Sequence, residues 1–382
     1  EGGHSLSSIV KFFELPDKEN EEYYNFLVFI GALRRCDYSA SANVGIEEKI
    51  NLSQEVYSKL ESEIERKVNE KNWYFWQKDI LEKYDSKKKN LVLIAPTGSG
   101  KTEFALLWAR SRGKKLVYTL PLRVALNDLY HRFNKKEGGY IEDKFLRILH
   151  STSFIEYLDE DVEGKELDVK AKKISSELFA SPLLLTTPDQ VFLSCLKYYG
   201  FDKLINIYPL SVIVVDEIQA YKPEMAAIII KTLEIIQKLN GDILVMTATF
   251  PPYFENFLKD MGFNIIDLEN KDEKKDVKNY TLKRHKFQLI EDESKKELFS
   301  YEEGKIKINE EALEELKDLI ISNKDKNFII VVNNVRKAIE LFKRLKKDLS
   351  NSKENLYLLH SRLLEKEKNL RIMEIKKKLE NV

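Results

Sequence analysis

The stretch NLVLIAPTGSGKT, residues 90–102, decides the fold of this chain. Its first five residues predict a short buried strand, and the run EFALLWARS at 103–111 predicts a helix. A glycine-rich turn between a strand and a helix is the context of a phosphate-binding loop, because main-chain N–H groups there face an anion at the helix N-terminus. Lys101 would reach the β- and γ-phosphates of ATP, and Thr102 would ligate Mg²⁺. The predicted ATP-binding residues of the loop are Thr97, Gly98, Ser99, Gly100, Lys101 and Thr102.

Apolar runs of similar length recur along the chain, each followed by a candidate helix. Strands that are apolar throughout and alternate with helices predict an α/β fold, a mostly parallel sheet covered by helices on both faces. We assign residues 70–265 to this ATP-binding domain. The runs are NLVLIAPTG, KLVYTLP, FLRILHS, PLLLTTPD, SVIVVDE and DILVMTATF.

The regions on either side of this domain differ from it in the spacing of apolar residues and in charge. Residues 1–65 carry apolar positions every three or four residues, which predicts a short all-helical segment. Residues 266–305 are polar and rich in charge, and we interpret them as a linker with exposed edge strands. Residues 306–382 begin a second α/β unit with the predicted strands NFIIVVNN and NLYLLHS. Two strands cannot bury both faces of a sheet, so we expect this second domain to be incomplete, either truncated or completed by another chain.

An acidic pair follows the most apolar of the predicted strands. Asp216 and Glu217 come directly after Val212–Val215, at the strand end where open α/β sheets place their ligands. Asp216 would hold Mg²⁺ through water, and Glu217 would polarise the water that attacks the γ-phosphate. We therefore predict Lys101, Asp216 and Glu217 as the catalytic residues, and Thr102 and Asp216 as the metal ligands.

Further polar side chains stand at the ends of the same group of strands. Thr247 and Thr249 close the strand DILVM, and Gln219 lies two residues after the acidic pair. Hydroxyl and amide groups beside a nucleotide can relay the state of its γ-phosphate to a neighbouring surface. We predict a coupling role for Gln219, Thr247 and Thr249.

Taken in order, APTGSGKT, TLPLRVALND, TTPDQ, DEIQ and TAT resemble the motifs of superfamily 2 DEAD/DEAH-like helicases. The longer segments YTLPLRVALNDLYHRF, ILHSTSF, LLLTTPDQVF, VVDEIQAY, VVNNVRKAIELFKRL and LHSRLLEKEKNLR resemble the CRISPR-associated helicase of type I interference systems. The resemblance covers about residues 70–382. It implies tandem RecA-like domains that grip a single nucleic-acid strand and hydrolyse ATP.

The resemblance also implies roles for residues at matching positions. Gln77, in WYFWQKDI, would recognise adenine, with an aromatic neighbour able to stack. A second set would contact the nucleic-acid backbone without reading bases. In the first domain it comprises Pro121, Arg123, Asn127, Thr187, Asp189 and Gln190, and in the second domain Asn333, Asn334, His360 and Arg362. For all of these residues a purely structural role, as helix caps or surface polar groups, stays open.

Two departures from the family limit the expected activity. Its N-terminal HD nuclease needs an adjacent His-Asp pair, and none of the five histidines here precedes an aspartate. We interpret residues 1–65 as the end of such a domain, with His4 and Asp37 as leftover ligands and no complete nuclease centre. The family's arginine-bearing late motif should follow LHSR, and such an arginine contributes about 10³–10⁵ in rate. The chain opens on Glu1 and ends at Val382, so we interpret it as an excerpt that binds nucleotide but hydrolyses little of it.

Composition excludes several classes of protein. Sixty-three basic and sixty-three acidic residues cancel, so any nucleic-acid surface must be local. The basic runs at 86–90 and 369–380 are interpreted as solvated faces. The two cysteines exclude a disulfide framework and a zinc ribbon and suit a reducing cytoplasm. No apolar run approaches the roughly 20 residues that span a bilayer, so no membrane partner is expected.

The function that follows is an ATP-driven translocase on single-stranded DNA in type I CRISPR antiviral defence. By resemblance it would move 3′ to 5′ along the displaced strand of an R-loop, recruited by the CRISPR surveillance complex. Two alternatives stay open. One is a DEAD/DEAH-like RNA helicase, and the other is a degenerate helicase fold retained as a binding or scaffold module. Gln219 and TTPDQ argue against the first, and intact Lys101, Thr102, Asp216 and Glu217 argue against the second.

Overall fold

The protein is described by a computed structural model. It describes residues 17–47, 49–70, 75–84, 90–153, 166–268, 297–302, 305–323, 326–348 and 356–379. The chain divides into two compact units, residues 1–284 and 285–382. His4 and the run at 86–90 fall mainly outside the described residues.

The first unit is built on a seven-stranded parallel sheet with the strand order β3-β4-β2-β5-β6-β1-β7. All six strands predicted from the apolar runs are present, which confirms the α/β fold class. Their bounds are β1 Asn90–Ile94, β2 Lys115–Thr119, β3 Leu146–Leu149, β4 Leu183–Thr186, β5 Ser211–Asp216 and β6 Asp242–Thr247, and β7 is Asn264–Asp267.

Helices cover both faces of this sheet, as the apolar strands require. In β5, Val212 and Val214 join one apolar cluster, whereas Ile213 and Val215 join the cluster on the opposite face. A strand buried on both faces has no polar alternation, which explains its apolar sequence. The helices of the unit are α1 Asp17–Ala42, α2 Gln54–Glu70, α3 Trp76–Lys83, α4 Lys101–Arg112, α5 Arg123–Phe133, α6 Glu166–Glu177, α7 Asp189–Phe192, α8 Asp202–Ile207, α9 Pro223–Lys238 and α10 Pro252–Asp260.

The N-terminal helix α1 packs against α8 on one face of the sheet. Gly31 faces the main-chain oxygen of Asp202 so closely that a β-carbon would overlap it. Arg34 donates to Asp202 Oδ1 at 2.7 Å, and Arg35 donates to Asn206 Oδ1 at 2.7 Å. The predicted helical segment is therefore docked on the ATP-binding unit. Asp37, the proposed leftover nuclease ligand, is exposed on α1.

The second unit contains a two-stranded antiparallel hairpin and three helices within its described residues. The hairpin joins β8, Phe299–Glu302, to β9, Lys305–Ile308. Leu313, Leu341 and Leu345 form its buried centre. The helices are α11 Glu310–Ser322, α12 Val335–Asp348 and α13 Glu365–Leu379.

The two strands predicted for this second unit differ from the structure. The described parts of NFIIVVNN and NLYLLHS form no ladder with other described residues, and Ile329 and Val331 are 90% and 87% exposed. β-branched residues favour a strand only where a neighbouring strand and a packing surface are present. The parallel sheet predicted for this unit is thus not formed by the described residues.

Two searches gave negative results over the described residues. No helix among them is long and apolar enough to cross a membrane. The same part of the chain holds no group of three or more His, Cys, Asp or Glu side chains that could bind a metal ion.

Candidate nucleotide site and adjoining strand ends

The phosphate-binding loop connects β1 to α4, as its sequence predicts. Gly98 and Gly100 have φ values of 73° and 92°, in the left-handed region that glycine adopts without strain. A β-carbon on Gly100 would also lie 2.5 Å from Gln77 Nε2. Both glycines are therefore required by the backbone of this loop.

Lys101 begins helix α4 and is 7% exposed. Its ammonium donates to the carbonyl oxygen of Ala95, the first residue of the loop, at 2.8 Å. The neighbouring Ser99 hydroxyl is buried and has no hydrogen-bond partner among the described residues. An orphaned hydroxyl beside a buried cation, in a loop with no room for a β-carbon, fits a phosphate chain. Thr97 and Gly98 are exposed at the rim of the loop.

Gln77 lies against the same loop from helix α3. Its Nε2 lies 3.4 Å from the carbonyl oxygens of Ser99 and Gly100, and its Oε1 is buried without a partner among the described residues. The adjacent Trp76 does not stand free for stacking. It donates to the Ser99 carbonyl at 3.0 Å and packs on Phe104 with 5.3 Å between ring centroids, because α3 turns this side chain into the core.

The acidic pair lies at the end of β5, and its two members have different surroundings. Asp216 is buried, with 7% of its surface exposed, whereas Glu217 is half-buried. Glu217 begins the turn after the strand and has a φ of 54°. The Glu217 N–H donates to Asp216 Oδ1 and to the Met246 carbonyl, both at 3.0 Å. The turn thus fixes the Asp216 carboxylate from its own backbone.

A buried tyrosine hydroxyl holds the other oxygen of this carboxylate. Tyr118 on β2 donates to Asp216 Oδ2, and its hydroxyl lies 3.4 Å from Thr102 Oγ1. Burial raises the pKa of Asp216 to about 6, and the positive charge of Lys101 opposes this rise. A hydroxyl and a carboxylate are the oxygen ligands that Mg²⁺ prefers, and a cation would stabilise the buried charge. Thr102 and Asp216 therefore fit the predicted metal site.

A chain of hydrogen bonds joins the acidic pair to the end of β6. Gln219 Nε2 donates to Glu217 Oε2, and the Thr247 hydroxyl lies 2.5 Å from Gln219 Oε1. The Thr249 N–H donates to Thr247 Oγ1 at 3.1 Å. The three residues predicted to couple the site thus form a series of hydrogen bonds that begins at Glu217 and ends at Thr249.

The first-domain residues predicted to contact nucleic acid follow β2 and β4, and several of them contact residues at the end of β3. Arg123 donates to the Ser151 hydroxyl at 3.1 Å, and Asn127 Oδ1 lies 2.8 Å from His150 Nε2. Thr187 is buried, and its N–H donates to the Leu149 carbonyl at 3.4 Å. In the first turn of α7, Gln190 donates to the Asp189 carboxylate at 2.5 Å.

An open cleft of about 500 Å³ adjoins the predicted metal site. Thr102, Tyr118, Asp216 and Glu217 line it together with Leu120, Pro121 and residues of α5. From the predicted sets, the cleft lining thus contains Thr102, Asp216 and Glu217 of the nucleotide site and Pro121 of the nucleic-acid set.

The second-unit residues have local roles in the structure. Asn334 caps α12, because its Oδ1 accepts the N–H of Arg336 at 2.8 Å. His360 Nδ1 accepts the N–H of Arg362 at 3.2 Å. Asn333 and Arg362 are exposed. These contacts are those expected of helix caps and surface polar groups, the structural role that the sequence left open. The role of these residues in binding nucleic acid stays a prediction.

Sequence reasoning missed Tyr118 and His150. Tyr118 contacts a metal-site carboxylate, and His150, 4% exposed, bonds to the predicted nucleic-acid residue Asn127. Both stand at strand ends, in YTLP and ILHS, and that position was the available signal. Their partners lie far along the chain and cannot be inferred from local pattern.

The chain matches two protein-family models. One, described as DEAD/DEAH box helicase, covers residues 76–257. The other, described as the C-terminal part of the CRISPR-associated nuclease/helicase Cas3, covers residues 324–382.

Curated relatives extend the match to almost the whole chain. The CRISPR-associated nuclease/helicase Cas3 of Methanothermobacter thermautotrophicus is 46% identical over 98% of this chain and 42% of that protein. The putative CRISPR-associated nuclease/helicase Cas3 of Methanocaldococcus jannaschii is 28% identical over 89% of this chain and 46% of that protein. The chain therefore spans less than half the length of these relatives.

A solved structure shows the same fold. T. fusca Cas3 superposes with a TM-score of 0.63 and 16% identity, over 85% of this chain and 40% of that chain. The structure of T. fusca Cas3-ATP superposes with a TM-score of 0.57. The two family models and the 46% identity show that this chain belongs to the Cas3 family of CRISPR-associated helicases.

Proposed function

We propose that this chain is the ATP-binding part of a motor that moves 3′ to 5′ along single-stranded DNA in type I CRISPR defence. Its track would be the displaced strand of an R-loop, presented by an RNA-guided surveillance complex in the cytoplasm. The observation that carries the proposal is the meeting of Lys101, Thr102, Asp216 and Glu217 at one edge of the sheet, with Tyr118 joining Thr102 to Asp216.

The loop residues bind the nucleotide. Main-chain N–H groups at the start of α4 and the Lys101 ammonium neutralise the phosphates, and the lysine exchanges the Ala95 carbonyl for phosphate oxygens. Gln77, with an unpartnered Oε1 beside the loop, accepts a hydrogen bond from the base. Thr102 and Asp216 hold Mg²⁺, which when bound supplies neutralisation of charge at the phosphate oxygens.

Glu217 activates the water for attack on the γ-phosphate. It stands next to the metal-site carboxylate but is not needed as a ligand, so its own carboxylate can take a proton from the water. Gln219 and Thr247 are bonded to it in series. A change of charge at Glu217 therefore reaches the end of β6, where it can alter the contact with nucleic acid.

Arg123, Asn127, Asp189 and Gln190, which follow β2 and β4, provide the face for the nucleic-acid strand. Polar side chains and main-chain groups there track phosphates, so the binding depends on salt and not on sequence. Membership of a family described as CRISPR-associated nuclease/helicase supports a nucleic-acid track and a role in a CRISPR system.

Binding of matched DNA and RNA strands tests this function. Fluorescence anisotropy with a labelled 20-nucleotide single strand is measured with Mg²⁺ and a non-hydrolysable ATP analogue, over a series of salt concentrations. We expect DNA to bind more tightly than RNA of the same sequence, with an affinity that falls as salt rises. Arg123→Gln should weaken binding severalfold, whereas Arg66→Gln, an exposed arginine on α2, should not.

The alternatives predict different results. Equal or tighter binding of RNA would favour an RNA helicase. Absence of both nucleotide and strand binding would favour a scaffold module.

A further inference from the structure

The hydroxyl of Tyr118 occupies an unusual place at the nucleotide site. It belongs to a side chain 1% exposed, on a strand that carries none of the predicted ATP-binding or metal residues. Tyr118 on β2 pairs with Val214 on β5. Val214 is two residues before Asp216 on that strand, so both lie on the same face of the sheet. Helix α4 brings Thr102 to within 3.4 Å of the same hydroxyl.

Packing alone does not account for a tyrosine here. A phenylalanine would fill the same space without a hydroxyl, which is costly to bury unless it is hydrogen-bonded. The partners that this hydroxyl finds are the side chains of Asp216 and Thr102. Tyr221, another buried tyrosine beside Asp216, donates instead to the main-chain oxygen of Asp216 at 3.3 Å.

The two oxygens of the Asp216 carboxylate are held by different groups. Oδ1 accepts the N–H of Glu217 at 3.0 Å, and Oδ2 accepts the Tyr118 hydroxyl. A carboxylate held at both oxygens has a fixed rotamer, and each oxygen keeps a further lone pair for a cation. Removal of the Tyr118 hydroxyl would leave one oxygen unanchored inside a buried site.

We propose that Tyr118 is a positioning residue for the divalent cation, holding the Asp216 carboxylate and the Thr102 hydroxyl at a fixed separation before the cation binds. This inference rests on the proposed function, because it assumes that Thr102 and Asp216 hold Mg²⁺ with ATP. Outer groups that orient metal ligands typically change metal affinity by about 10–100-fold when they are removed.

The test is the Mg²⁺ concentration that half-saturates binding of a fluorescent ATP analogue. Tyr118→Phe should raise this concentration about tenfold while leaving nucleotide binding in EDTA unchanged. The matched control is Tyr130→Phe, which removes a buried hydroxyl that donates to the carboxylate of Asp143 at 3.1 Å, away from the loop. Circular dichroism and thermal melting check that both variants are folded.

A second measurement separates positioning from a general structural effect. If Tyr118 acts mainly through the carboxylate, adding Tyr118→Phe to Asp216→Asn should weaken the Mg²⁺ dependence much less than Tyr118→Phe weakens it in the wild type. Additive losses, or equal Mg²⁺ requirements in Tyr118→Phe and Tyr130→Phe, would overturn the inference while leaving the proposed function intact. A wild-type chain that shows no Mg²⁺-dependent nucleotide binding would overturn both.

Discussion

At the scale of single residues, the site is organised by a few buried polar contacts. Lys101 rests on the Ala95 carbonyl at 2.8 Å, and Asp216 is held by Tyr118 and by the Glu217 N–H. Each buried charge thus has a partner before any ligand arrives. Binding of a nucleotide then requires only small movements of side chains, which reduces the free-energy cost of organising the site.

Glu217 is the residue whose substitution separates binding from chemistry. In a protein of full family length that contains this chain, Glu217→Gln should keep ATP affinity within about twofold and lower the rate of ATP hydrolysis by about 10²–10⁴, the usual contribution of a general base. Glu224→Gln, at an exposed glutamate in the first turn of α9, serves as the matched control. Phosphate release measures the rate, and wild-type turnover by Glu217→Gln would remove the general-base role.

At the scale of elements, close approach of α1 to α8 fixes the N-terminal segment on the first unit. The approach depends on Gly31, which lies against the main chain at Asp202. Arg34 and Arg35 then reach Asp202 and Asn206. A glycine inside a long helix is explained here by contact and not by a break in the helix.

Substitution of Gly31 by alanine tests this packing, because the expected change in the free energy of unfolding has the opposite sign to that in an open helix. In an open helix, alanine is more favourable than glycine by about 1 kcal/mol. Gly31→Ala should instead lower the free energy of unfolding by about 1–3 kcal/mol, because its β-carbon overlaps the Asp202 oxygen. Cys36→Ala, on the exposed side of α1, is the control and should be near neutral. Urea denaturation measures both, and a more stable Gly31→Ala would contradict the packing.

Helices and strands could be predicted from the sequence where an apolar run was directly followed by a helix that could cover it. The six apolar runs became β1–β6 because each is followed by a helix that covers it. The short edge strand β7 was missed, since Asn264–Asp267 has only two apolar residues before a charged stretch. The predicted strands at 327–334 and 355–361 have the composition of strands but no ladder in the described residues.

The site shows the same limit. The loop, the acidic pair and the three coupling residues could be proposed from the sequence because each belongs to a short motif at the end of a predicted strand. Tyr118 and His150 could not, because hydrogen bonds to Asp216 and Asn127 depend on how β2, β3, β5 and α5 are brought together.

At the scale of the whole molecule, a buried ionic cluster joins segments that are far apart in the sequence. Glu47 forms ion pairs with Lys115, at 2.9 Å, and with Arg35. Through these pairs the N-terminal segment is joined to the start of β2. Lys115 is 1% exposed, and desolvation lowers its pKa to about 8 even though Glu47 opposes the shift. Two cations face one carboxylate here, so the cluster is sensitive to pH.

The stability of the protein should therefore depend on Lys115 above neutral pH. Below pH 8 both native and unfolded states keep the proton, and the cost of burying the charge is constant. Between about 8 and the ordinary value of 10.5, the native lysine loses its proton while the unfolded lysine keeps it, so stability rises with pH. The gain relative to Lys115→Met should approach about 3 kcal/mol over this range.

Urea denaturation of the two proteins at intervals from pH 7 to pH 10.5 measures this gain. The comparison with Lys115→Met removes the contribution of other groups that titrate in the same range. Parallel stability curves for the two proteins would show that the native lysine keeps its proton.

The most direct test of the central claim is calorimetric titration of Mg·ATP into the wild-type chain and into Lys101→Ala. Because Lys101 is the buried cation of the phosphate-binding loop, we predict saturable one-site binding by the wild type and an affinity at least tenfold lower in the variant, with both proteins folded. Equal affinities, or no binding by the folded wild type, would contradict the assignment of residues 95–102 as the ATP site.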